Sequence, residues 1–266
     1  MADTRPATPS YAAHRPQGED LLVVDGNLDE QVWRSAARTT RFSQSGSGAV
    51  TPFNSRAAML WDDAHLFIAF WVEEPDVWCT GEIRNGIAWL ENTVEVSVAG
   101  SGAYYNLSVT PTGQTSELFF VWKDSYLRGG RYDVPEFDLA VRRPMVFGGD
   151  AEPRDERGMR WGFLDWRLPG LQTGVKVAGT LNQRGDIDDG WTVELALPWE
   201  GLQRVTDDPL TASCGDTWSV SLARNQVIDQ RGSRSLVTWT WQPGDEIDDS
   251  SYPTHKPDRF PLIELA

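Results

Sequence analysis

Hydrophobic and polar positions alternate with a period of two along much of this chain. In residues 93–98, Val94, Val96 and Val98 share one face while Thr93, Glu95 and Ser97 share the other, which is the pattern of a strand with one face in the core. Residues 104–109 repeat it, setting Tyr105, Leu107 and Val109 opposite Tyr104, Asn106 and Ser108. Glu95 therefore leaves the core, and Asn106 lies on the same kind of polar face. Residues 65–72 (HLFIAFWV) are instead an unbroken apolar run, which predicts a central strand buried on both faces. It follows residues 56–61 across a turn at Asp62-Asp63. Further strands are predicted at 117–122, 171–179, 191–197, 218–222, 236–241 and 261–265, with Gly, Pro, Asn and Asp turns between them. Helix is scarce. After a turn at Asp25-Gly26-Asn27, Val32, Trp33 and Ala36 fall at helical spacing, with Asn27 or Asp29 as the cap. Short alternating strands at this spacing predict an all-β fold, an antiparallel β-sandwich of jelly-roll or immunoglobulin type with one or two short helices.

Residues 1–20 mix Pro, Ala, Thr and charge without a period and read as a flexible N-terminal arm. Residues 21–266 carry no repeat and form a single domain. Their least regular stretch, 126–169, is expected to run as a long excursion over one end of the sandwich. Trp61, Trp71, Trp191, Trp199 and Trp218 are expected in the core.

Composition narrows the partners. The chain has 266 residues and a formal charge of -15, the wrong sign for gripping nucleic-acid phosphates or an anionic membrane. No apolar run approaches the ~18 residues of a membrane span, and the start MADTRPATPS has no secretory pattern. The chain as written therefore reads as cytoplasmic; a mature fragment of a secreted protein would be extracellular. Two cysteines, Cys79 and Cys214, make no disulfide framework and are expected as buried free thiols. The 13 tryptophans are unusual, because a flat indole suits planar or sugar-ring ligands as well as a core.

Catalytic constellations are few. The three histidines (His14, His65, His255) make no zinc or hydrolase motif, and no phosphate-binding glycine loop occurs. Glu95 is the carboxylate that stands out, either as a functional group or as a solvent-facing residue on an outer face. Calcium needs several hard oxygens on a flexible loop. Asp186, Asp188 and Asp189, flanked by Gly185 and Gly190, are the most loop-like of three acidic clusters; the others are 207–208 and 245–249.

Four blocks in order carry a resemblance. They are Val24-Asp25-Gly26 with Leu28-Asp29-Glu30 and Trp33; LWDDAHLFIAF; WLENTVEVSV; and VAGTLNQRGDIDDGWTVELALPW, closed by Trp239 and HKPDRF. From about residue 21 to the end, the chain resembles carbohydrate-binding module family 9 and its free-standing bacterial relatives. The resemblance implies a β-sandwich that binds mono- or oligosaccharide without catalysis, often with structural calcium. In such modules two tryptophans clamp a sugar ring while a glutamate and amide groups hold its hydroxyls. Trp89 matches one clamp position and Glu95 the glutamate. Asn106 and Ser108 replace an arginine and an asparagine, and Tyr252 is the aromatic nearest the second clamp position, beside Thr254. Tyr104 and His255 complete the expected ligand site.

An enzyme on the same scaffold is the other reading. A Trp-lined cavity would hold a hydrophobic small molecule for a cyclase- or isomerase-like reaction, with Glu95, Asp165 or His255 as acid or base and 126–169 as its lid.

Overall fold

The computed structural model describes residues 10–17, 22–80, 88, 91–148, 157–206, 212–230, 233–241 and 253–266. In chain order the first half holds β1 (Tyr11–Ala13), α1 (Gln31–Ser35), β2 (Ser43–Gln44), β3 (Ser55–Trp61), β4 (His65–Glu73), β5 (Thr93–Ala99), β6 (Ala103–Val109) and β7 (Thr115–Trp122). The second holds α2 (Leu139–Arg142), β8 (Met145–Phe147), β9 (Arg160–Phe163), β10 (Gln172–Ala178), β11 (Gly190–Pro198), α3 (Trp199–Leu202), β12 (Thr217–Gln230), β13 (Ser233–Trp241) and β14 (Leu262–Leu265). Two sheets result. The larger runs β1-β14-β12-β5-β6-β7-β9-β8, with β13 pairing both β12 and β2; the smaller runs β10-β11-β4-β3.

The period-two pattern decides what lies between the sheets. Val94, Val96 and Val98 of β5 and Tyr105, Leu107 and Val109 of β6 meet Ile68, Phe70, Val193 and Leu195 of the smaller sheet in one continuous core. Each such side chain contributes about 1.5–3 kcal/mol of burial. Residues 66–70 of the apolar run in β4 are buried on both faces, because α1 and the segment before it cover Phe67 and Ala69 from outside. All neighbouring strands pair antiparallel except β1 and β14, which are parallel.

Several expectations need correction. The N-terminal arm supplies β1: Tyr11 is buried, and its hydroxyl donates to the Ala37 carbonyl and accepts from the Met59 amide. A three-residue strand is too short for its alternation to show in sequence. The helix α1 begins after Glu30 without a side-chain cap; the expected Asn27 cap is not made, its side-chain oxygen accepting from Lys176 Nζ instead. The 126–169 stretch is no plain excursion, since β8 and β9 extend the larger sheet beside β7. Cys214 is exposed; Cys79 is buried and free. Trp61, Trp191, Trp199 and Trp218 are core, but Trp71 is half-buried on the outer face of the smaller sheet.

One glycine is dictated by contact. Gly26 has φ +85, and a Cβ there would lie 2.6 Å from the Val175 backbone; only glycine lets the turn lie against β10. Among the described residues no helix is long and apolar enough to cross a membrane.

Candidate functional site on the outer face of the larger sheet

The polar faces of β5, β6 and β12 lie side by side. Register sets Glu95 between Ser108 and Ala223, and Ser97 between Asn106 and Ser221. This face is not open to solvent. Glu95 is 4% exposed, and Ser97, Asn106, Ser108 and Asn225 are buried beside it, because the turn Pro253–His255 packs against it. The solvent-facing alternative for Glu95 is thereby corrected.

The Glu95 carboxylate is held by neutral donors. Asn225 Nδ2 donates to Oε1 at 2.7 Å and Ser108 Oγ at 3.2 Å. Asn106 Nδ2 donates to Ser97 Oγ, which donates to the Thr254 carbonyl. Thr238 Oγ donates to Asn225 Oδ1 and so fixes which end of that amide faces Glu95. Burial raises the pKa of Glu95 above the ordinary carboxylate value, against the opposing hydrogen bonds of Thr254, Ser108, Asn225 and Asn106. Among the described residues amides and hydroxyls surround this carboxylate and no cation pairs with it; hydroxyl donors bind a charged acceptor more strongly than a neutral one.

Beside this cluster is an aromatic one. Tyr104 stacks on Phe120 with ring centroids 4.4 Å apart, and its hydroxyl meets His255 Nδ1 at 3.1 Å. The Arg160 guanidinium lies 4.7 Å from the Trp122 ring centroid and donates to the His255 carbonyl at 2.8 Å. Burial, and then the Arg160 charge, push the His255 pKa down to about 3. The imidazole is neutral at physiological pH, far from the pKa that acid–base catalysis favours.

The structure thus brings together Glu95, Tyr104, Asn106 and His255. Trp89 and Tyr252 lie outside the described residues. Asp165 is elsewhere, exposed and 3.1 Å from Arg142 Nη2. Ser97, Asn225, Thr254 and Arg160 were not singled out as ligand residues in the sequence. Asn225 was missed because β12 was expected to stop at residue 222; the alternation of Ser219, Ser221 and Asn225 was the available signal.

Two carboxylates of the acidic loop at 186–189 are engaged within the protein. Asp188 accepts from the Val77 amide at 2.8 Å and the Thr180 amide at 2.7 Å, and Asp186 accepts from the Thr180 hydroxyl. Among the described residues the carboxylates that converge are Asp25, Glu30 and Glu194, with ligand atoms within 4.8 Å of one another. Glu194 is fully buried and accepts from Trp33 Nε1, while Glu30 keeps a buried oxygen without a hydrogen-bond partner. Hard oxygens with an unused buried lone pair fit calcium.

These features define a β-sandwich with a buried polar face on its larger sheet. No family model matches the chain, and no curated protein matches it in sequence. Solved structures do match in shape. A carbohydrate-binding module family 9 protein from Caldicellulosiruptor kristjanssonii, solved with cellotriose, superposes with TM-score 0.55 at 13% identity, covering 96% of this chain and 92% of that one. Solved with glucose, a module from the same organism gives TM-score 0.53 at 14% identity, over 96% and 95%. A candidate carbohydrate-binding protein from Bacteroides uniformis gives TM-score 0.56 at 11% identity, over 96% and 99%. The chain has the fold of carbohydrate-binding module family 9.

Proposed function

We propose that this protein binds carbohydrate without catalysis at the Glu95 face. The observation that carries the reading is the convergence of Glu95, Asn106, Ser108 and Asn225 on one sheet face, in a fold shared with modules solved with cellotriose and glucose. A sugar hydroxyl donating to Glu95 takes over the role of the Thr254 hydroxyl, which now bonds that carboxylate. An aromatic ring, Trp89 in the resemblance, supplies the stacking face that a sugar's C–H side needs. The neutral, packed His255 supports binding rather than acid–base turnover.

Structural calcium belongs to the same reading. Asp25, Glu30 and Glu194 would hold it, tying the chain's opening turn to β11, and the ion would supply charge balance for three carboxylates.

Calorimetric titration with glucose, cellotriose and a panel of other mono- and oligosaccharides tests the function, beside Trp89→Ala and Glu95→Ala variants whose melting curves show them folded. Saturable binding lost in both variants supports the reading. Absence of binding by every sugar overturns it.

A further inference from the structure

Trp71, expected in the core, instead forms part of an open cleft on the outer face of the smaller sheet. The cleft measures about 220 Å³ and is lined by Arg38, Asn54, Arg56, Trp71, Glu73 and Asp189 among others. Drug-sized ligand sites begin near ~300 Å³, so this one suits a single ring.

Its polar groups are incompletely matched. The Arg38 guanidinium carbon stacks 3.9 Å from the Trp71 ring centroid, and among the described residues no carboxylate pairs with it. Burial, and then the positive charge of Arg56, lower the Arg38 pKa from its ordinary value. Arg56 itself donates to the Thr39 carbonyl at 3.1 Å. Glu73 and Asp189 also line the cleft, but among the described residues neither makes an ion pair with Arg38 or Arg56; Glu73 Oε2 accepts from the Asn54 amide at 2.8 Å. Asn54 Oδ1 is buried with no donor. An acceptor left unmade in this way carries its full desolvation cost, which a ligand hydroxyl recovers. Two guanidiniums without an ion-pair partner among the described residues can recognise a carboxylate with charge-assisted hydrogen bonds.

We propose that this cleft is a second binding site, separate from the Glu95 face, that takes one acidic sugar residue, a hexuronate. Its carboxylate sits on Arg38 and Arg56, and a ring hydroxyl donates to Asn54 Oδ1. Against a net charge of -15, anion binding here is local, set by two arginines rather than by the field of the whole protein.

The test is calorimetric titration with glucuronate and galacturonate, with glucose as the ring without the charge and acetate as the charge without the ring. A hexuronate is expected to bind at least tenfold tighter than glucose or acetate. Arg38→Gln and Arg56→Gln each lower its affinity about tenfold or more; Asn54→Asp, which places a competing carboxylate in the cleft, abolishes binding. Glu95→Gln leaves it unchanged, which separates this site from the proposed neutral-sugar site. Loss of hexuronate binding in Glu95→Gln, equal affinity for acetate, indifference to the arginine substitutions, or no hexuronate binding by the folded wild type overturns the proposal.

Discussion

Trp33 and Glu194, 161 positions apart, are joined by a hydrogen bond of 2.7 Å from the indole Nε1 to the carboxylate Oε1. The other oxygen of Glu194 accepts from the amides of Asp25 and Gly26 at 3.1 and 3.3 Å. One buried carboxylate therefore fastens the opening turn and α1 to β11. Glu194→Gln keeps the shape but turns an amide N–H₂ toward donors. It is expected to lower unfolding free energy by about 2–4 kcal/mol, read from urea denaturation.

The same group gives a pH dependence. Burial raises the Glu194 pKa to about 7 in the folded protein, so the folded state holds a proton that the unfolded chain releases near 4.5. Its contribution is fully present below pH 4.5 and is lost as pH rises to about 7. The span amounts to as much as ~3 kcal/mol. The difference in stability between wild type and Glu194→Gln, measured from pH 4 to 8, should shrink across that window; a flat difference refutes the assignment.

Calcium at Asp25, Glu30 and Glu194 would reverse that balance, because a coordinating carboxylate must be deprotonated. Added calcium should raise Tm by about 3 °C or more at pH 7.5 and by less at pH 5, and chelator should undo it. Equal shifts at both pH values, or none, exclude this trio as the ligands.

Glu95 predicts a pH dependence of binding. The carboxylate is the stronger acceptor for a sugar hydroxyl, and its pKa is raised by burial. Sugar affinity should therefore rise with pH above the ordinary carboxylate range, by about tenfold. Glu95→Gln should bind weakly at every pH, as titration calorimetry would read.

Gly26→Ala should cost about 2–4 kcal/mol, from a strained positive φ and backbone overlap with Val175. A thermal melt reports it.

Periodicity carried most of the fold, because each strand's alternation answers to a core on one side. Val94, Val96 and Val98 could be placed without knowing any partner strand, and so could the side from which Glu95 projects. What covers that side could not, since it depends on Thr254 and His255 arriving from residues more than 150 positions away. The same limit explains Trp71: its neighbours in sequence are apolar, but Arg38 and Arg56 reach it only through the register of β3 with β4 and the path of the chain after α1. Gly26 was legible as a turn. The reason for its glycine, the passage of β10 against it, was not.

The parallel pairing of β1 with β14, from Tyr11 opposite Ile263 to Ala13 opposite Leu265, determines how the domain bears tension. The rungs are closed by Ser10 N donating to Leu262 O and Ala266 N donating to Ala13 O. Force entering before β1 and leaving after β14 draws the two strands in opposite directions along their common axis. Every rung is then loaded at once in shear, instead of opening one after another as in a peeled hairpin. The strand concealed in the irregular N-terminal segment thus acts as a mechanical clamp on the fold.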